Sequence, residues 1–183
     1  HHVEIVRRIA NAERLDRLIQ DLLAYTRISQ QEAPSIPLDL GKLINDIVEN
    51  YPNLHPPEAQ IEIRGEFPQV WGREAALTQV ISNLLGNAAK FVRPGVMPQI
   101  KVWSETADSR VRLYIQDNGI GIAPRDFERI FQMCIQVNER SAYSGTGVGL
   151  AIVKKAVQTM HGSVGVESEE GNGSKFWVEL NKA

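Results

Sequence analysis

The chain is short of cysteine, of net charge and of long apolar runs. Its single cysteine, Cys134, excludes an intrachain disulfide and a zinc site built on cysteines. Lysine and arginine number 20 against 22 aspartates and glutamates, a net charge of −2, so no basic excess points to nucleic acid or an anionic membrane surface. Stretches such as Leu150-Ala151-Ile152-Val153 fall far below the ~20 apolar residues a membrane-spanning helix needs. The opening His1-His2-Val3-Glu4 is polar and lacks a signal-peptide pattern, so the expected location is the cytoplasm. The 183 residues, 43% of them hydrophobic, suit one domain of ordinary size plus an appendage.

Residues 3–29 supply the appendage. Ile5, Ile9, Ala12, Leu15, Ile19 and Leu22 recur every three or four positions among Glu4, Arg7, Arg8, Glu13 and Arg14, the pattern of an amphipathic helix. That stripe fits packing on its own domain or one half of an intermolecular bundle, and its length favours the bundle. Residues 31–37 carry Pro34 and Pro37 and read as a linker.

The remainder, 38–183, alternates strand and helix signals. Asp39 is placed to cap a helix carrying Leu40, Leu43, Ile44, Ile47 and Val48. Residues 60–64, 69–71, 99–104 and 110–117 alternate as strands, the last two as antiparallel neighbours. Residues 73–92 and 148–161 read as helices, and Pro124 starts a short one through Phe131. Residues 164–168 and 174–180 form a hairpin around Glu170-Gly171-Asn172-Gly173. The expected class is α+β, a two-layer sandwich with a mixed, mostly antiparallel sheet covered on one face by helices.

Three segments carry chemistry. In Asp117-Asn118-Gly119-Ile120-Gly121-Ile122 a carboxylate ends a strand, and two glycines let backbone approach a flat ligand. On the helix that follows residue 73, Asn83, Asn87 and Lys90 share one face and suit an oxygen-rich ligand: an amide oxygen for a hard cation, an ammonium for phosphate. In Ser144-Gly145-Thr146-Gly147-Val148-Gly149-Leu150 glycines bare the backbone N–H groups just before a helix start, an anion site. Taken alone, the second also fits a solvated helix face and the third a flexible loop.

Taken together and in this order, the three segments resemble the N, G1 and G2 boxes of sensor histidine kinases. That family shares its Bergerat-type ATP-binding fold with gyrase, heat-shock chaperone and mismatch-repair ATPases. The stretch Leu18-Ile19-Gln20-Asp21-Leu22-Leu23-Ala24-Tyr25-Thr26-Arg27 is similar to the second helix of the family's dimerisation and phosphotransfer hairpin. The resemblance implies ATP and Mg²⁺ as ligands. Asp117 would accept from the exocyclic amino group of adenine, with Gly119, Gly121 and Ile122 shaping the base pocket and Phe91 against the ring. Asn87 would hold Mg²⁺. Asn83 and Lys90 would take the catalytic positions beside the triphosphate. Ser144, Gly145, Thr146, Gly147, Val148, Gly149 and Leu150 would wrap the phosphates, and residues 132–146 would form a mobile lid.

Two departures stand out. Phe127 and Phe131 match the family's F box, but Cys134 takes the place of a further phenylalanine, which implies a less firmly anchored lid. The family's phosphorylated histidine lies in a motif that none of His1, His2, His55 or His161 matches. The expected organisation is therefore a partial dimerisation helix over residues 1–30, a linker over 31–37 and a catalytic ATP-binding domain over 38–183. The expected enzyme is a cytoplasmic protein-histidine kinase of a two-component phosphorelay. This fragment would not autophosphorylate alone. Its partners would be a phosphoacceptor histidine domain, a response regulator and, through the N-terminal helix, a second copy. A nucleotide-binding regulatory module of the same fold, without transfer, is the alternative.

Overall fold

A computed structural model describes residues 2–30, 33–135 and 145–183. It consists of α1 (His2–Gln30), β1 (Ile36–Asp39), α2 (Leu40–Asn50), β2 (Gln60–Ile63), β3 (Gln69–Gly72) and α3 (Glu74–Lys90). β4 (Gln99–Ala107), β5 (Arg110–Asp117), α4 (Gly149–Thr159), β6 (Ser163–Ser168) and β7 (Ser174–Asn181) follow. Five strands form one sheet in the order β2-β4-β5-β7-β6, in which only the β2–β4 pair is parallel. The α+β class and the mixed sheet expected from the sequence are thus observed.

Strand alternation decides which face is buried. Ile100, Val102, Val111, Leu113, Ile115, Phe176, Val178 and Leu180 point one way and are buried. Against them lie Leu77, Val80, Ile81, Leu84 and Leu85 of α3 and Ile152, Val153, Ala156 and Val157 of α4, all in the same core. Ile44 and Ile47 of α2 join it. The opposite face covers itself. Trp103, Tyr114 and Trp177 stand in register across β4, β5 and β7, facing Gly165 on β6. Trp103 and Tyr114 stack with ring centroids 5.0 Å apart, and the Arg112 guanidinium lies 4.4 Å from the Trp177 ring.

The structure corrects three expectations. Ile36 and Pro37, read as the end of a linker, belong to β1, which pairs antiparallel with β3 in a separate two-stranded ribbon. Proline is tolerated there because a ribbon leaves edge positions that need no N–H donor, and Leu38 anchors the strand by its burial. The short helix from Pro124 to Phe131 is two 3₁₀ turns, Pro124–Asp126 and Arg129–Phe131. Their amides bond three residues back, as in Asp126 N–H to the Ala123 carbonyl at 2.9 Å and Gln132 N–H to the Arg129 carbonyl at 3.0 Å.

The third concerns α1. Its C-terminal half packs on the domain itself, against α4: Ile28 is buried in the core and Leu18, Ala24 and Tyr25 lie on its edge. Ile9, Leu15, Ile19, Leu22 and Leu23 nevertheless remain exposed. One helix therefore presents two apolar faces, one covered by its own domain, where the sequence favoured a bundle with a second chain, and one bare.

Asp39 caps α2 as its position implied, its carboxylate accepting from the Lys42 N–H at 2.9 Å. Asp39→Ala should cost about 1 kcal/mol of stability, read as a shift in the urea midpoint with an unchanged slope.

Candidate functional site

The turn after β5 is built by its neighbours. Asp117 ends a central strand, and its Oδ1 accepts from the Gly119 N–H at 2.8 Å and the Ser174 N–H at 3.1 Å. Burial pushes its carboxyl up to about 6, and the two amides offset only part of that rise. Asn118 clamps the neighbouring loop, accepting from the Gln99 N–H at 2.8 Å and donating to the Met97 carbonyl at 3.0 Å. A side chain at Gly119 would place its Cβ 2.4 Å from the Phe91 carbonyl oxygen, and the Ile120 N–H donates to that same oxygen at 2.9 Å. The turn is thereby fastened to the C-terminal end of α3. Gly121 has φ +71°, and a Cβ there would sit 2.0 Å from the Glu169 carbonyl oxygen, so backbone conformation and space both demand glycine. Ile122 is half-buried, and its N–H donates to Ser168 Oγ at 2.8 Å.

On α3, Asn83, Asn87 and Lys90 are half-buried while Val80, Leu84, Leu85 and Ala88 are buried, the division expected from their spacing. The Asn83 Nδ2 is buried without a hydrogen-bond partner among the described residues. Lys90 Nζ lies 4.7 Å from the centre of the Phe91 ring. Its pKa is lowered, first by burial and then by the charge of Arg17, with Asp21 opposing.

Of the glycine-rich segment, Ser144 lies outside the described residues, as does most of the expected lid. Gly145, Thr146, Gly147 and Val148 lead into α4, which Gly149 and Leu150 begin. Gly147 has φ +74°, and its carbonyl accepts from the Cys134 N–H at 3.0 Å. The hydroxyl of Thr146 donates to the carboxylate of Asp21 on α1. Asn83 Oδ1 lies 3.4 Å from where a Cβ on Gly149 would stand. Cys134 is exposed, whereas Phe131 is half-buried and meets Phe176 edge-on at 6.4 Å. Phe127, the other F-box residue, is also half-buried.

One helix face therefore links all three segments. Asn83 meets the start of α4, and Phe91, eight residues on and ~12 Å along the axis, meets the turn after β5. Three contributors do not stand out in the sequence, Ser168 among them as the last residue of a strand. Ser174 was read only as the first residue of a strand, and Asp21 only as a polar position on an amphipathic helix. The Gly171-x-Gly173 spacing beside Ser174 was the available signal, and it was absorbed by the hairpin reading.

A profile of the family described as "Histidine kinase-, DNA gyrase B-, and HSP90-like ATPase" matches residues 72–183. The chain belongs to that family. Among curated relatives it is similar to the phytochrome-like protein Cph1 of Synechocystis sp., 35% identical over 167 residues, which are 91% of this chain and 22% of that protein. It is also 37% identical to the sensor histidine kinase AruS of Pseudomonas aeruginosa over 191 residues, 97% of this chain and 19% of that protein. The chain thus spans about a fifth of the length of these relatives.

Among solved structures, full-length ShkA in complex with AMPPNP superposes with a TM-score of 0.77 at 30% identity, covering 100% of this chain and 39% of that one. The mycobacterial sensor histidine kinase MprB gives a TM-score of 0.70 at 26% identity, covering 81% of this chain and 97% of that one. The fold is the ATP-binding one expected from the three boxes. No described helix is long and apolar enough to cross a membrane.

The raised carboxyl of Asp117 has a sign-definite consequence. Between its ordinary value near 3.8 and about 6 the folded chain holds a proton that the unfolded chain has lost. Stability contributed by this group therefore falls as pH rises through that window. Raising the pH from 4 to 7 should cost the native chain on the order of 2 kcal/mol relative to Asp117→Asn, measured by urea unfolding of both proteins at the two pH values.

Proposed function

We propose that this chain is the ATP-binding catalytic portion of a sensor histidine kinase. In the whole protein it would hand the γ-phosphoryl of ATP to a histidine that these residues do not supply. The observation that carries this reading is the linkage just described. A half-buried carboxylate at one end of the α3 face and a glycine-rich helix start at the other are spaced for a base and a triphosphate.

Asp117, ionised above about pH 6, accepts from the adenine amino group. A hydroxyl or amide donor at that position would favour a carbonyl-bearing base instead. Gly119, Gly121 and Ile122 form the wall beside the base, and Phe91 lies against it. Gly145, Thr146, Gly147, Val148, Gly149 and Leu150 present backbone donors and the start of the α4 dipole to the phosphates, with Ser144 continuing the segment. Lys90 adds a point charge.

Mg²⁺ fits the donor set. Asn87 offers one hard amide oxygen on the same face, and the described residues hold no cluster of three acidic, histidine or cysteine ligands. One such oxygen would suit a hard ion that draws most of its ligands from outside the chain. When bound, it would supply neutralisation of phosphate charge. Asn87 would hold it, and Asn83, whose Nδ2 lacks a protein partner among the described residues, would donate to a phosphate oxygen. An amide at Asn83 cannot take a proton from water, so bound ATP is spared hydrolysis and kept for transfer. The chain's own contribution is positioning and charge stabilisation.

The division into a helical segment over residues 1–30, a connection that ends before β1 and a catalytic domain from Ile36 to 183 accompanies this reading. The exposed Ile9, Leu15, Ile19, Leu22 and Leu23 are the surface for a second copy in the parent protein. A histidine-bearing hairpin and a response regulator are the further partners, in the cytoplasm.

Calorimetry should detect Mg-ATP binding, weakened about ten- to hundredfold by Asp117→Asn. Affinity of the native chain should fall, relative to that variant, as pH drops below about 6, because protonation removes the charge and turns the carboxyl oxygen not held by the Gly119 and Ser174 amides into a donor. Absence of binding, or binding indifferent to Asp117→Asn, overturns the reading. A separately supplied phosphoacceptor hairpin should acquire acid-labile phosphate from ATP in the presence of this chain, and Asn87→Ala should abolish that transfer.

A further inference from the structure

The turn that carries Asp117 is not rigid by itself. Gly119 and Gly121 give it wide conformational freedom, so something else must hold its shape. The β6–β7 hairpin does so from 168 to 174. The Gly171 N–H donates to the Ile120 carbonyl at 2.7 Å. A Cβ on Gly173 would lie 2.1 Å from the Asp117 carbonyl oxygen, and one on Gly121 would lie 2.0 Å from the Glu169 carbonyl oxygen. Backbone therefore presses on backbone along the whole turn.

Ser168 joins the two sides with its side chain. Its Oγ lies 2.8 Å from each of three groups: the Ile122 N–H, the Gly173 carbonyl and the Ser174 hydroxyl. A hydroxyl has one proton and two lone pairs. The Ile122 N–H can only donate, and it takes one lone pair. The Gly173 carbonyl can only accept, and it takes the proton. The Ser174 hydroxyl must then donate to the second lone pair. One arrangement satisfies every group, and it commits the Ser174 hydroxyl to Ser168 and the Ser174 N–H to Asp117 at 3.1 Å.

We propose that Ser168 is a positioning residue for nucleotide recognition, fixing Asp117 through Ser174 and the wall residue Ile122 through its amide. The proposal rests on the reading of Asp117 as the group that takes the adenine amino hydrogen. Ser168 touches no ligand in this scheme. Ser168→Ala would leave the Ile122 N–H without its partner and free the Ser174 hydroxyl, so the 173–174 segment would loosen its hold on the carboxylate. Losing the Ser174 amide removes one of two hydrogen bonds that favour the ionised form of Asp117. The hairpin's own acids, Glu169 and Glu170, are exposed, and Arg93 is bound to the Gly171 carbonyl at 2.8 Å. Burial and the two amides account for the shift of Asp117.

The test measures Mg-ADP affinity of the full chain by calorimetry from pH 5 to 8 for native, Ser168→Ala, Asp117→Asn and the double variant. Dividing by the Asp117→Asn affinity at each pH cancels the titration of the ligand. Ser168→Ala should bind about three- to tenfold more weakly at pH 8, and its loss of affinity on acidification should begin at higher pH. In the Asp117→Asn background the same substitution should change affinity by less than half that factor, because the two residues act in series. Equal effects in both backgrounds, or native affinity and an unmoved acid limb in Ser168→Ala, overturn the proposal while Asp117→Asn still weakens binding. Should Asp117→Asn bind like the native chain, the reading of Asp117 fails and the proposal with it. If Ser168→Ala does not fold, Ser174→Ala cuts the same link yet keeps its amide, and the same shift of the acid limb is expected; an unmoved limb counts against the proposal.

Discussion

A carboxylate taken partly out of water is the constraint on which the site depends. Burial disfavours the charge on Asp117, and only the Gly119 and Ser174 amides counter it. The Ser174 amide opens strand β7, but the Gly119 amide belongs to a glycine turn that has little stiffness of its own. The chain supplies that stiffness by pressing a hairpin turn onto the turn after β5, at distances that leave no room for a Cβ on either side. A well-placed acceptor that is poorly solvated is a good recognition element, since a matching donor restores what burial took away.

The second organising element is α3. Its buried stripe holds the helix layer to the sheet, and its other edge carries the two asparagines and Lys90. Because one rigid helix touches both the turn after β5 and the start of α4, the distance between the two ends of the site is set by helix rise rather than by loops. The first helix bears on the same region. Asp21 accepts from Thr146, and Arg17 and Asp21 act on Lys90 with opposite signs. The orientation of α1 and the glycine-rich segment are thus physically coupled.

Much of this was legible in the residues. The alternation at 99–104 and 110–117 gave two strands and their antiparallel pairing, and Asp39 announced the cap it makes. The Asn83, Asn87 and Lys90 spacing gave the polar face of α3. Other features were not legible. Pro37 concealed β1, because proline argues against a strand unless the strand is known to be an edge. The 3₁₀ turns after Pro124 differ from an α-helix by one residue in the hydrogen-bond offset, which apolar spacing over so few positions does not resolve.

Local order decides helices, strands and motif sequence, because the periodicities of 3.6 and 2 are written within a few neighbouring residues. The amino-acid sequence by itself therefore determined the α+β class, the amphipathic first helix and the three segments that mark an ATPase of this family. Only the tertiary structure decided how Asp117 is held, that Ser168 and Ser174 stand behind it, and that α1 lies on α4 with Asp21 at Thr146. The Ser174 amide on Asp117 and Asp21 at Thr146 are contacts between residues 57 and 125 positions apart. Burial and hydrogen bonding at such separations are properties of the packed chain, and no local pattern of side chains encodes them.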